Sequence, residues 1–218
     1  MDSRFASPGD IGQFLHYGGS GGTHGLDSDF VIVDVETSGL DPAQGARVIE
    51  IAAVRVTQAG TEVGHMSSLI NPGDGETGAD WIHGISPAMV LDAPKFSEVF
   101  DSFAALMDNA IFVAHHAKFD ESFVAAEAKH AGLNLAVMPG LCTYWLARAT
   151  VTGTQNLKLG TLAGHFGIAQ LGAHSALDDA RVVSQMLPHM LRNHDPLTYF
   201  STEVTQPRTG LSADPLPR

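Results

Sequence analysis

One cysteine, Cys142, is all this chain has. It therefore closes no intrachain disulfide and builds no cysteine-based zinc site, and a reducing cytoplasm is its natural setting. Nor does any apolar run reach the length that spans a bilayer, and the N-terminus lacks the apolar core of a secretory leader, so no membrane association is expected. No segment repeats. Cations are scarce as well: Lys and Arg total 12 against 24 acidic residues, a formal net charge of −12. So acidic a body repels a polyanion at long range, and a long basic track for nucleic acid is not expected.

What is present suits one globular domain. The chain has 218 residues, 44% of them hydrophobic, enough to bury a single full core. Both ends read as arms. Residues 1–28 contain Gly18-Gly19-Ser20-Gly21-Gly22 and little periodicity beyond a patch at 11–17, so a flexible N-terminal arm is expected there. Residues 196–218 form a polar tail punctuated by Pro207, Pro215 and Pro217. The domain proper is left with residues 29–195.

Within it the periodicity is that of a mixed α/β chain. Residues 30–35 read as a strand, and 48–57 and 62–70 alternate around an Ala59-Gly60 turn. Pro94 opens a helix whose Phe96, Val99, Phe100, Phe103 and Leu106 form one stripe. A short buried strand at 110–113 leads into a helix carrying Asp120. Helices near 144–149, 158–166 and 176–191 follow.

Four acidic residues sit where folding alone favours apolar ones. Asp34 and Glu36 interrupt Phe30-Val31-Ile32-Val33-Asp34-Val35-Glu36-Thr37. Side chains alternate along a strand, so these two share the face of Phe30 and Ile32, with like charges roughly 6–7 Å apart. That repulsion costs stability on a half-buried face unless a hard cation offsets it. Taken alone, the pattern fits a metal site and a strand end running into the solvated turn Thr37-Ser38-Gly39-Leu40-Asp41-Pro42 equally well. Asp179 tips the balance. Ser175 is placed as the N-cap of the last helix and Asp178 at its N3 position, in a capping-box-like start. At about 100° per residue, Asp179 falls inside the stripe of Ala176, Val183, Met186, Leu187 and Met190. The helix dipole accounts for Asp178 but not for a carboxylate on the buried face. Asp120 repeats the pattern beside Phe123 and Val124, although Glu127 shares its face. His174 stands five residues before Asp179, just outside the helix, where an imidazole titrating near neutrality suits a general base.

Three segments together carry a family resemblance. Asp34-Val35-Glu36-Thr37-Ser38-Gly39-Leu40, Ala114-His115-His116-Ala117-Lys118-Phe119-Asp120 and His174-Ser175-Ala176-Leu177-Asp178-Asp179-Ala180 resemble the three exonuclease motifs of the DnaQ-like (DEDDh) 3′–5′ exonucleases, the family of the DNA polymerase III epsilon subunit. Trp81-Ile82-His83-Gly84-Ile85-Ser86 is similar to the family's His-Gly-Ile loop, and Asn156-Leu157-Lys158-Leu159 to the segment before its penultimate helix. The resemblance spans about residues 28–192. A histidine five residues before the last aspartate marks the DEDDh branch, whereas the sister branch has tyrosine where this chain has Ser175. One departure stands out: the second motif usually has Asn where this chain has His116.

The resemblance implies a ribonuclease-H-like fold, with a mixed central sheet flanked by helices. It implies two divalent ions, Mg²⁺ or Mn²⁺, held by Asp34, Glu36, Asp120 and Asp179, with Asp34 bridging both and His174 deprotonating the attacking water. It further implies a terminal-nucleotide pocket lined by Thr37, Leu40, His83 and Phe119, with Leu40 wedged against the base. The expected reaction is hydrolysis of single-stranded DNA or RNA from 3′ ends, releasing nucleoside 5′-monophosphates. A DNA polymerase or another protein would attach through the terminal arms. Two other readings compete: a catalytically silent polymerase-associated scaffold, which the presence of all five residues disfavours, and a phosphohydrolase of mononucleotides or other small phosphates, which an acidic surface would tolerate.

Overall fold

The computed structural model describes residues 6–17, 28–170 and 175–192. Its centre is β3 (Asp29–Thr37), preceded by two short strands, β1 (Asp10–Ile11) and β2 (Leu15–Tyr17). Antiparallel to β3 run β4 (Val48–Val56) and then β5 (Glu62–Leu69), a meander. Parallel to β3 on its other side lies β6 (Ala110–Ala114), followed by β7 (Met138–Cys142). The result is a mixed seven-stranded sheet in the order β1-β2-β7-β6-β3-β4-β5.

Helices cover both faces because β3 is apolar on both. Val31, Val33 and Val35 meet Phe96 and Phe103 of α3 (Phe96–Met107) and Phe123 and Val124 of α4 (Ala117–Ala131). Phe30 and Ile32 face the other way, against α5 (Thr143–Thr150), α6 (Leu159–Phe166) and α7 (Ala176–Leu191). A strand buried on both sides reads as a continuous hydrophobic run, and this one does until Asp34. The α3 stripe is seated as its spacing predicts, and Glu98 accepts the Lys95 N–H at 2.8 Å to close the helix start. Two one-turn helices, α1 (Asp80–His83) and α2 (Pro87–Val90), interrupt the long connection before α3.

The N-terminal expectation needs correcting. Residues 6–17, read as part of a flexible arm, add two strands to the sheet edge, with Leu15 and Tyr17 fully buried. Glu121 of α4 anchors them. Its Oε1 accepts the N–H groups of Phe14 (2.9 Å) and Leu15 (2.8 Å), and its Oε2 accepts the Tyr17 hydroxyl at 2.8 Å. Hydrogen bonds to a charged acceptor are worth about 1.5–3 kcal/mol each, enough to hold so short a segment. Gly12 is required there, since a Cβ would collide with the Glu121 carboxylate. An ion pair between Lys118 and Asp10, at 3.0 Å, adds a second tie. The expected tail at 196–218 lies outside the described residues.

Candidate active site

The carboxyl ends of parallel β3 and β6 point the same way, and sheets of this kind open their crevice there. Asp34 and Glu36 continue the Phe30–Ile32 face toward the start of α7, which carries Asp179. One carboxylate oxygen from each of Asp34, Glu36 and Asp179 lies within 4.8 Å of the others. The shared face inferred from strand alternation is therefore real, and the last helix delivers its inward-facing aspartate to it.

Asp120 arrives from the β6 side. The β3–β6 ladder pairs Ile32 with Val113 and goes no further, because the chain turns sharply at His116 into α4. Beyond that point the Val35 N–H reaches the Asp120 carboxyl instead, which also receives the Asp120 N–H. Asp120 is 3% exposed. His116 makes the turn with φ 80° and ψ 47°, left-handed values at the N-cap of α4. Asparagine and histidine are among the few side-chain-bearing residues enriched in that region, so the departure from the family's Asn keeps the backbone requirement. The His116 ring also lies on Tyr144, with centroids 4.1 Å apart. Next to it, His115 bonds Thr143 Oγ1 at 3.1 Å and the Leu157 carbonyl at 2.9 Å. Burial pushes its pKa down to about 4 and the carbonyl partly opposes this, so the ring stays neutral and ties β6 to the α5–α6 connection.

A fifth carboxylate that sequence reasoning did not single out stands beside the group without being one of the candidate ligands. Glu50 lies directly opposite Glu36 in the β3–β4 register, hence on the same face. Its Oε2 accepts the Ala176 N–H at 3.1 Å, and Ser67 also bonds it. Ser175 does occupy the N-cap position of α7, but its side chain makes no capping bond; Glu50 supplies the acceptor instead. The signal was present, since Glu50 interrupts Val48-Ile49-Glu50-Ile51 as Asp34 interrupts β3. Asp179 accepts from Gln170 Nε2 at 2.8 Å.

These groups raise one another's pKa. Burial holds the Asp34 carboxyl well above its ordinary value, and the charges of Asp120, Glu36, Asp179 and Glu50 push the same way. Glu36 is pushed up to about 7, by burial first and then by Asp179 and Glu50. Asp120 is raised by burial against the opposing pull of its two backbone N–H donors, and Glu50 by burial against Ala176 and Ser67. Asp34, Glu36, Asp120 and Asp179 form an all-oxygen set that repels itself and suits a hard divalent cation, and these residues fit one. The sign for stability follows. A folded Glu36 that titrates near 7 rather than near 4.5 keeps a proton the unfolded chain has lost, so without metal stability falls as pH rises through that window. At 1.36 kcal/mol per unit the loss is about 3 kcal/mol. Binding of a cation displaces the proton, so Mn²⁺ should raise the melting temperature much more at pH 8 than at pH 5. An increment equal at both pH values would show that Glu36 holds no cation.

Comparison with known proteins agrees with this geometry. The RNase T family model, described as exonuclease, matches residues 31–187. The chain belongs to the exonuclease family. The DNA polymerase III epsilon subunit of Aquifex aeolicus is 32% identical over 167 residues, covering 76% of this chain and 82% of that protein. A PolC-type DNA polymerase III from Caldanaerobacter subterraneus is 34% identical over 167 residues, 76% of this chain, but this chain spans only 12% of its length. Among solved structures, exonuclease X in complex with 5′ overhanging duplex DNA superimposes with a TM-score of 0.63 at 26% identity, covering 79% of this chain and 97% of that one. The nuclease domain of 3′hExo, a DEDDh member, gives a TM-score of 0.67 at 14% identity, covering 84% and 98%, and shares the ribonuclease-H-like fold.

The other expected site residues lie on loops and helices around this group. Thr37 donates its hydroxyl to the Gly39 carbonyl at 2.7 Å, shaping the turn that exposes Leu40, 46% accessible. His83 accepts the Ile85 N–H on Nδ1 at 3.1 Å, so Nε2 carries the proton and donates to the Thr77 carbonyl at 3.1 Å. Both contacts hold its loop together. Gly78, at φ 69°, brings that loop against the Ser38 carbonyl, where a Cβ would collide. Phe119 is partly buried, its ring 4.8 Å from that of Phe123. His174 lies outside the described residues. No described helix is long and apolar enough to cross a membrane.

Proposed function

We propose that this exonuclease is a metal-dependent 3′–5′ enzyme that hydrolyses phosphodiester bonds at single-stranded 3′ ends and releases nucleoside 5′-monophosphates. The approach of Asp34, Glu36 and Asp179 within 4.8 Å carries the reading, with Asp120 close enough to raise the Asp34 pKa. Together the four would hold two divalent ions, Mg²⁺ or Mn²⁺. Such ions would activate a water as nucleophile and would stabilise charge at the leaving 3′ oxygen. His174 takes the proton from that water. Leu40 and Phe119 give the terminal base an apolar seat, and Thr37 and His83 shape the loops on either side. Trp81, 79% exposed two residues before His83, offers a further ring for stacking. The buried lone thiol of Cys142 is consistent with a reducing cytoplasm, and a DNA polymerase or other protein remains the expected partner.

Electrostatics shapes the substrate. The chain carries −12 overall, and Arg47, Arg55, Lys118 and Arg181 are each committed to a carboxylate of their own fold. Arg47 grips Glu127 through two nitrogens, at 2.7 and 2.8 Å. With 24 acidic residues against 12 basic ones, no net positive charge is available to follow a long strand, and a metal-filled site would attract only within a Debye length of ~8–10 Å. Trimming should therefore be distributive, with a shallow salt slope and affinity that stops growing once the cleft is covered. The test is a length series of end-labelled DNA and RNA oligonucleotides, with dinucleotides and mononucleotides alongside, challenged with unlabelled trap after the first turnover. Ladders that survive the trap would reveal a binding track and overturn the distributive reading. Turnover of mononucleotides alone would make the chain a small-phosphate hydrolase.

A further inference from the structure

Glu50 has a task of its own. It faces Glu36 across the β3–β4 pair, where a second acidic residue costs stability. Its oxygens are turned to the Ala176 N–H at 3.1 Å and to Ser67 rather than left for solvent. The Ala176 N–H belongs to the same peptide plane as the Ser175 carbonyl. That carbonyl accepts the Asp179 N–H at 3.0 Å, the first hydrogen bond of the helix. Glu50, the 175–176 peptide and Asp179 thus form one polarised chain of hydrogen bonds running from β4 into the first turn of α7. Ser175 makes no side-chain cap, so among the described residues no neighbour in sequence does this job.

We propose that Glu50 is a positioning residue for the metal site. It fixes the plane of the 175–176 peptide and thereby sets Asp179 against Asp34 and Glu36. Its carbonyl-like acceptor oxygen matters here, not its charge. This rests on the metal-site reading above. Two near-isosteric substitutions separate the possibilities: Glu50→Gln keeps an acceptor and removes the charge, and Glu50→Met removes both. In the full chain, Glu50→Gln should keep Mn²⁺ affinity and nuclease rate within about threefold. Glu50→Met should weaken Mn²⁺ binding by roughly 10–100-fold, the usual scale for a lost support behind a metal ligand. Amide hydrogen exchange at Ala176 and Asp179 should quicken at least ~10-fold in Glu50→Met and stay near wild type in Glu50→Gln.

Three outcomes overturn the proposal. The first is loss of Mn²⁺ affinity in Glu50→Gln with its amides still protected, which would make Glu50 a ligand or a charge donor. The second is a Glu50→Met variant that changes neither affinity nor exchange. If Glu50→Met does not fold, Glu50→Gln alone decides, since loss of amide protection there is equally fatal. Failure of the underlying reading looks different. A wild-type chain with no measurable Mn²⁺ affinity would refute the metal site, while the exchange comparison would still decide what Glu50 holds in place.

Discussion

Asp34→Ala should lower nuclease activity by roughly 10³-fold or more, because in the proposed mechanism it removes a carboxylate whose hold on the metal would be worth several kcal/mol at the reacting phosphate. The same change should stabilise the metal-free protein. Asp34 sits at the centre of the repulsion, raised by burial and by four neighbouring carboxylates, so deleting it relieves a buried charge. Activity and stability moving in opposite directions is the signature of a residue kept for chemistry. Asp178→Ala is the control. Asp178 lies in the first turn of α7, where it adds only a dipole contribution of about 0.3–1 kcal/mol, and it should leave turnover intact. Calorimetric Mn²⁺ titration, thermal melts with and without metal, and single-turnover assays of both variants make the comparison. Equal loss of activity in the two would refute the assignment of Asp34 over Asp178.

The site was legible where a polar residue broke a rule of local burial. Asp34, Glu36 and Asp179 each stand in an apolar stripe, and a period of 2 or 3.6 assigns their faces without knowledge of the fold. Glu50 breaks the same rule, but its meaning depends on two distant partners. Its register with Glu36 is set by the β3–β4 pairing, and its bond to Ala176 joins residues 126 apart in sequence. Periodicity is blind to both. His116 is intermediate: the family motif marks the position, and only the φ of 80° explains why a histidine can stand there.

The fold divides along the same line. Strands β3 to β6 and helices α3 to α7 follow strong local patterns and fall within a few residues of their expected ends. Strand β7 was missed because Met138-Pro139-Gly140-Leu141-Cys142 carries two residues that argue against a strand. The structure accounts for the glycine. A Cβ at Gly140 would lie 3.1 Å from both Leu15 and Tyr17, so the position must stay bare for β2 to pack. The β1–β2 segment was read as an arm for a related reason. Its strands are two and three residues long, and its anchor, Glu121, is more than 100 positions away. Elements held by long-range contacts leave little local trace.

His174→Ala should cut the rate by roughly 10²–10⁴-fold while Mn²⁺ affinity stays largely intact, as expected of a general base that is not a ligand. The pH profile needs care, because two groups titrate near neutrality in this reading. Glu36 is pushed up to about 7 in the metal-free protein, so an acidic limb measured at low metal reports proton displacement from the site as well as the base. Saturating Mn²⁺ pulls the Glu36 titration down and leaves the histidine limb alone. Under that condition wild type should keep an acidic limb and His174→Ala should lose it. His115 cannot supply the limb, since burial pushes its pKa down to about 4 even against the opposing bond to the Leu157 carbonyl. His83 has both ring nitrogens committed to the backbone of its own loop. A limb that persists unchanged in His174→Ala at saturating metal would move the base elsewhere. Metal affinity that collapses together with the rate would make His174 a ligand, and the attacking water would then have to lose its proton to another group.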